Sequence, residues 1–177
     1  MKKMIKMTAL TMAFVAGLGI SLLTEAANLP SDTLPSQTNI APVQTNPVNW
    51  DSMVGKRIAN TKDPAYGSSN PFKPGLCTWY AWGRMKEVTG KSITFRSKPA
   101  HAAAWPDFVN NCTVNGKLTE KCVAVNFRGT AGHVAFVEYV DDTYVYYTED
   151  NESPGTNRKV LKTTIRDFRQ TFVNFIH

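Results

Sequence analysis

The sequence predicts a mixed α+β domain over residues 50–177, and three stretches carry that expectation. Residues 78–88 read as a helix that stops at Gly90. Residues 133–140 and 143–149 are rich in β-branched and aromatic side chains and flank Asp141-Asp142, so they read as a hairpin. Residues 123–127 read as a further strand.

The chain opens with a segment of a different kind. Lys2, Lys3 and Lys6 precede an uncharged, mostly apolar run over residues 8–23, and Thr24-Glu25-Ala26 follows as a small-residue cleavage site. Residues 1–26 therefore read as a secretory signal peptide. The apolar run, about 16 residues, falls short of the roughly 20 that a membrane-spanning helix needs. A secreted, periplasmic or cell-wall location is expected. Residues 27–49 hold Pro30, Pro35, Pro42 and Pro47 among Ser, Thr, Asn and Gln and bury too little apolar surface to fold alone, which marks a flexible Pro-rich spacer. Residues 50–177 have the length for one hydrophobic core, with no internal repeat. The formal net charge of +6 falls by two once Lys2, Lys3, Lys6 and Glu25 leave with the signal. That balance suits anionic wall polymers and is too small and scattered for nucleic acid, so no nucleic-acid partner is expected.

Three cysteines in an exported chain leave one over. Cys112 and Cys122 flank a segment centred on Asn115-Gly116, a strong hairpin-turn signal. A hairpin there brings the two sulfurs together, and an oxidising compartment joins them in a disulfide that closes a short loop and stabilises by about 2–3 kcal/mol. Cys77 then remains as an unpaired thiol: inert, paired with another chain, or reactive. Its neighbours favour reactivity. Pro74-Gly75 ends an irregular approach, and Cys77 stands at the start of the helix, where unpaired backbone N–H groups and the positive end of the helix dipole favour a thiolate. Trp79, Ala81, Trp82, Met85 and Val88 have helical spacing and are expected to pack the core.

A thiolate nucleophile needs a base, usually a histidine held by a third polar group. His177 is the last residue, where fraying is expected, and His101 lies in a stretch that reads as a solvated loop. His133 opens a strand directly after Gly129-Thr130-Ala131-Gly132. The hairpin brings Glu149 beside it, placed to accept the Nδ1 proton, and Asn151 falls on the same face by strand alternation. Spacing alone is equally compatible with ordinary hairpin-end polarity at Glu149 and Asn151. Strand parity adds a condition. Facing pairs of an unbulged ladder have a constant sum of residue numbers, and His133 shares a face with Glu149 only if that sum is even. A two-residue Asp141-Asp142 turn makes it odd, so the hairpin needs an odd-length connection or a β-bulge.

The blocks Gly75-Leu76-Cys77-Thr78-Trp79-Tyr80, Trp105, Gly132-His133-Val134-Ala135-Phe136-Val137-Glu138, Glu149-Asp150-Asn151 and Phe175-Ile176-His177 resemble, in that order, the CHAP family of cysteine, histidine-dependent amidohydrolases/peptidases, over about residues 66–177. The resemblance implies a papain-like α+β fold with helices packed on an antiparallel β-sheet. It also implies Cys77 as nucleophile, His133 as base, Glu149 as the orienting acid and Asn151 as a further polar site residue. The implied substrate is peptidoglycan, cut as an N-acetylmuramoyl-L-alanine amidase or as a peptide-stem endopeptidase. Two features depart from the family. Leu76 stands where a polar residue, often Gln, commonly precedes the cysteine, so an oxyanion is expected to rely on backbone N–H groups near Cys77 or on a donor elsewhere in the chain. The Cys112 to Cys122 segment stands where relatives usually run from a loop straight into a strand. No cofactor or metal is expected: the histidines are dispersed, and Asp141-Asp142 and Asp150 lack the spacing of a calcium loop. A monomer is expected. Two other classes fit the same fold: a catalytically silent wall-binding module, favoured by Leu76, and a secreted assembly factor that pairs through Cys77.

Overall fold

The computed structural model describes residues 47–151 and 157–177, so the expected signal peptide and all but the last three residues of the expected spacer lie outside the described residues. Short 3-10 turns at Trp50–Met53 and Pro64–Tyr66 lead to helix α1 (Cys77–Thr89). A 3-10 turn at Ala102–Ala104 runs into the single helical turn α2 (Trp105–Phe108). Strands β1 (Val114–Asn115), β2 (Cys122–Asn126), β3 (His133–Val140), β4 (Tyr144–Thr148) and β5 (Leu161–Thr164) follow, then helix α3 (Ile165–Thr171) and strand β6 (Asn174–Ile176). The strands form one antiparallel sheet in the order β1-β6-β2-β3-β4-β5. The α+β class is as the sequence predicts.

Both faces of the sheet are covered, and its central strands are accordingly buried along most of their length. Val123, Val125, Val134 and Phe136 pack on one face against Tyr80, Trp82 and Met85 of α1, together with Phe72 and Trp105. Cys122, Ala124, Ala135 and Val137 pack on the other against Phe168 of α3, Phe172 and Phe175. The α1 residues with helical spacing lie in the core as expected, Val88 at its margin. The helix ends where Gly90 takes φ 73° and its N–H closes on the Lys86 carbonyl.

The β3–β4 hairpin meets the parity condition through a bulge. Its tight turn falls at Asp142-Thr143, one residue later than expected. The Asp141 N–H donates to the Tyr144 carbonyl, and Asp141 Oδ1 accepts the N–H groups of Thr143 and Tyr144 at 2.8 and 2.6 Å. That turn pairs Val140 with Val145 and Tyr139 with Tyr146, an odd register. The register then shifts by one at Glu138, and Val137 faces Tyr147 while Phe136 faces Thr148. The even count that places Glu149 on the His133 face thus comes from one extra residue.

That extra residue is a buried acid. The Glu138 carboxylate receives Nε and Nη2 of Arg84 on α1, both at 2.9 Å, and the Thr148 hydroxyl at 2.6 Å. Arg84 Nη1 also reaches Glu87 at 2.8 Å, and Glu87 accepts the Tyr66 hydroxyl and the Asn60 N–H. Burial works against the charge on Arg84, but the two carboxylates hold its pKa above the ordinary arginine range.

The expected Cys112–Cys122 disulfide is not formed; all three cysteines are free thiols. The Asn115-Gly116 signal makes no hairpin, because β1 pairs with β6, and β6 stands between β1 and β2. Two inter-strand spacings, about 9–10 Å, separate those strands. Cys112 packs at the margin of the α1-side core, whereas Cys122 belongs to the opposite face. His177 is not frayed either: its N–H donates to the Thr113 carbonyl, and its ring nitrogens meet Thr119 Oγ1 at 3.1 Å and Asn115 Oδ1 at 3.2 Å.

Two outcomes follow from this packing. Replacing Arg84 by Met leaves Glu138 buried and unpaired and should cost about 3–5 kcal/mol of stability, and the double change Arg84→Met with Glu138→Leu should recover most of it. Chemical denaturation of the three proteins checks this. Burial pushes the Cys122 thiol up to about 12, so a thiol reagent at neutral pH should label Cys122 only after unfolding, when three thiols per chain become reactive.

Candidate active site

Helix α1 starts at Cys77 because of the two residues before it. Gly75 takes φ 84°, in the left-handed region that glycine enters without strain. Leu76 is the extended N-cap; its carbonyl accepts the Tyr80 N–H at 3.0 Å, but its apolar side chain caps no first-turn N–H. An uncapped helix start leaves backbone donors and the positive end of the dipole beside the Cys77 sulfur.

His133 begins β3 opposite Asn126 of β2. Gly132 just before it has φ 62°, and a Cβ there would stand 2.5 Å from the Asn126 carbonyl oxygen and 2.6 Å from the Ala103 Cβ. Only glycine fits this close approach. The Ala103 N–H donates to the Ala131 carbonyl at 3.0 Å and ties the segment to the Ala102–Ala104 turn.

Glu149 lies one residue past β4, and its Oε2 is 3.0 Å from His133 Nε2. The sequence reading placed this carboxylate at Nδ1. Continued from the Phe136–Thr148 pair, the register sets Glu149 opposite Ala135, so it approaches the ring diagonally and meets its far nitrogen. Nδ1 is thereby the nitrogen left to the Cys77 sulfur, a hydrogen-bond partner of this imidazole. His133 and Glu149 are 5 % and 6 % exposed. Burial disfavours the imidazolium, but the hydrogen bonds and charges of Cys77 and Glu149 outweigh it and raise the His133 pKa to about 10.

Asn151 takes φ 60° and lines the same cleft as Cys77 and His133, and Glu149 joins them through its contact with the imidazole, so the structure brings the four predicted residues together. The cleft has a volume of about 370 Å³. His101, expected in a solvated loop, is exposed and also lines it. Among the described residues, no group of three or more His, Cys, Asp or Glu is placed to hold a metal ion.

A clamp behind the site was not foreseen. Asp150 is buried, and its Oδ2 meets Arg158 Nε at 2.8 Å while its Oδ1 accepts the Asn151 N–H at 3.1 Å. The Arg158 N–H donates to the Glu149 carbonyl at 2.6 Å, and its guanidinium stands 5.2 Å from the centre of the Trp79 ring. Arg158 thereby holds Glu149 and Asp150 against α1. Charged residues around a strand end are too common for sequence to single out this pair.

The family model of the CHAP domain matches residues 65–151 of the chain. The chain is 30% identical over 119 residues to the N-acetylmuramoyl-L-alanine amidase sle1 of Staphylococcus epidermidis, a match that covers 64% of this chain and 35% of that protein. It is 26% identical over 162 residues to the staphylococcal secretory antigen SsaA of the same species, covering 91% of this chain and 54% of that one. The chain thus spans between 35% and 54% of the length of these curated relatives. Two crystal structures of Ly7917, one with "the hydrolyzing product of MDP", superpose with TM-scores of 0.48 and 0.46 at 17% and 16% identity. They cover 58% and 67% of this chain and 53% and 62% of theirs.

The clamp makes a prediction about stability. Arg158→Ala leaves Asp150 buried without its cation and should cost about 1–3 kcal/mol, while Arg158→Lys, which keeps the charge but not the planar fork, should cost less. Thermal unfolding of the two variants measures the difference.

Proposed function

We propose that this chain is an exported cysteine amidohydrolase that cuts an amide bond in peptidoglycan. The observation that carries the reading is the alignment of Cys77 at an uncapped helix start, the buried His133 imidazole, and Glu149 on its Nε2 at 3.0 Å. In the proposed cycle the Cys77 proton already sits on His133 Nδ1 in the resting pair, and the thiolate adds to the amide carbonyl. Backbone N–H groups at the α1 start, the Cys77 N–H first among them, receive the oxyanion in place of the polar side chain that Leu76 lacks. The C–N bond breaks as the imidazolium delivers its proton to the leaving amine, and a thioester on Cys77 remains. Water then gives a proton to His133 and adds to the thioester, releasing the acid and the thiolate. Glu149 fixes the tautomer and balances the imidazolium charge, and Asn151 lines the same cleft.

The relative named as an N-acetylmuramoyl-L-alanine amidase favours the bond between sugar lactyl group and peptide over one within the stem. Export rests on the signal-like pattern of residues 1–26 and on the relative named as a secretory antigen. A catalytically silent wall-binding module is the second reading. Leu76 favours it: this side chain is 39 % exposed at the cleft and offers no donor.

Purified protein on wall zymograms, with mass spectrometry of the released fragments, separates the two readings and identifies the bond. Cys77→Ser and His133→Ala should each lower hydrolysis by at least about 10³-fold, and Glu149→Gln by about 10²–10⁴-fold. Wild-type protein that binds wall without releasing fragments would establish the silent module. The pH profile is a separate check. The His133 pKa is raised, so the imidazolium that protonates the leaving amine is present at neutral pH and is lost only as pH rises through about 10. Activity should therefore hold through mildly alkaline pH and fall near 10, an apparent value that belongs to the coupled Cys77–His133 pair.

A further inference from the structure

The described lining of the cleft includes two lysines and no acidic side chain. Lys73 follows Phe72 in the approach to α1, and Lys98 comes from the segment before the Ala102–Ala104 turn. Lys98 Nζ stands 5.9 Å from the centre of the Phe72 ring, and Phe72 itself is packed flat on the buried Trp105 at 5.1 Å. Lys73 and Lys98, from different segments, thus line the same cleft as the Phe72 ring, with His101 on the same lining. Among the described residues that line the cleft there is no Asp or Glu, since Glu149 stands behind the imidazole. Neither lysine has an ion pair among those that the described residues form. Their charge is therefore directed to solvent and to whatever fills the cleft.

We propose that Lys73 and Lys98 form a subsite for a free carboxylate on the substrate, close to the bond presented to Cys77. The inference rests on the amidohydrolase reading and deepens it by naming a substrate class: acidic stem peptides, in which the α-carboxylate of the γ-linked D-glutamate is free, over peptides in which that group is amidated. A carboxylate is the anion a peptide strand itself carries beside its amide bonds. The Phe72 ring beside Lys98 offers apolar surface to the methylene groups that carry it. An amidated peptide presents the same shape without the charge and leaves both ammonium groups unpaired in the occupied cleft.

The experiment compares two muropeptides that differ only in this group, D-glutamate against D-isoglutamine. Binding is measured on the Cys77→Ala protein and hydrolysis on the wild type, each at low and high salt. The free carboxylate should bind three- to tenfold more tightly at low salt, the range expected of two partly exposed ion pairs. Raised salt should shrink that ratio, and the Lys73→Gln, Lys98→Gln double variant should bring it close to one. Equal binding of the two peptides, no binding of either, or a preference that survives the double variant would overturn the subsite. If the Cys77→Ala protein discriminates but the wild type cuts neither peptide, the hydrolase reading fails and the subsite stands.

Discussion

The buried ion pair between Arg84 and Glu138 is the constraint on which the rest of this cleft depends. It spans the two elements that carry the proposed nucleophile and base, joining α1, which begins at Cys77, to β3, which begins at His133. It also falls on the one residue whose insertion changes the hairpin register. An acid at this position has only one solution in the fold. Its carboxylate needs the guanidinium and the Thr148 hydroxyl, and both lie on the α1 face. The bulge lets Glu138 and Tyr139 both turn to that face, where Tyr139 stacks on Trp50 at 5.7 Å. Beyond the bulge, the alternation that carries Val145 and Tyr147 to the α3 face carries Glu149 there too, alongside His133.

Around that frame the structure arranges donors and charges with little redundancy. The α3 side supplies an apolar wall, with the Phe172 ring 6.3 Å from the imidazole, so His133 has its charge balanced by Cys77 and Glu149 rather than by water. Gly132 allows the strand start to lie against Ala103 of the Ala102–Ala104 turn. Arg158 draws Glu149 and Asp150 back toward Trp79 of α1, so Glu149 is held from behind as well as by its own strand. Helix, sheet and the segment after β4 therefore meet at one imidazole.

Much of this was readable in the sequence. Pro74-Gly75 and Gly90 bracket α1, the β-branched and aromatic runs mark β3 and β4, and a thiol at a helix start with a histidine at a strand start marks the candidate pair. Parity required a bulge or an odd connection without saying which. A bulge has no compositional mark beyond one acid in an apolar strand, and its partner Arg84 sits equally unannounced in a helix that is otherwise buried. The disulfide expectation failed for a reason no local window contains. Asn115-Gly116 does favour a turn, but β6 arrives from the far end of the chain and takes the place beside β2. The choice of Nε2 over Nδ1 depends on which strand pair stands one step deeper, and the Asp150–Arg158 clamp on two charges eight residues apart.

The central claim is that a bulge-set register places Glu149 on His133 Nε2 and, with Cys77 on the other side, keeps the imidazole charged through neutral pH. Side-chain ¹⁵N NMR of His133 across a pH titration tests it most directly. The account predicts two protonated ring nitrogens from neutral pH up to about 10, with an Nε2 proton signal that moves in Glu149→Gln. An imidazole that loses its proton near the ordinary value of about 6.5, with an Nε2 signal indifferent to Glu149→Gln, would contradict it.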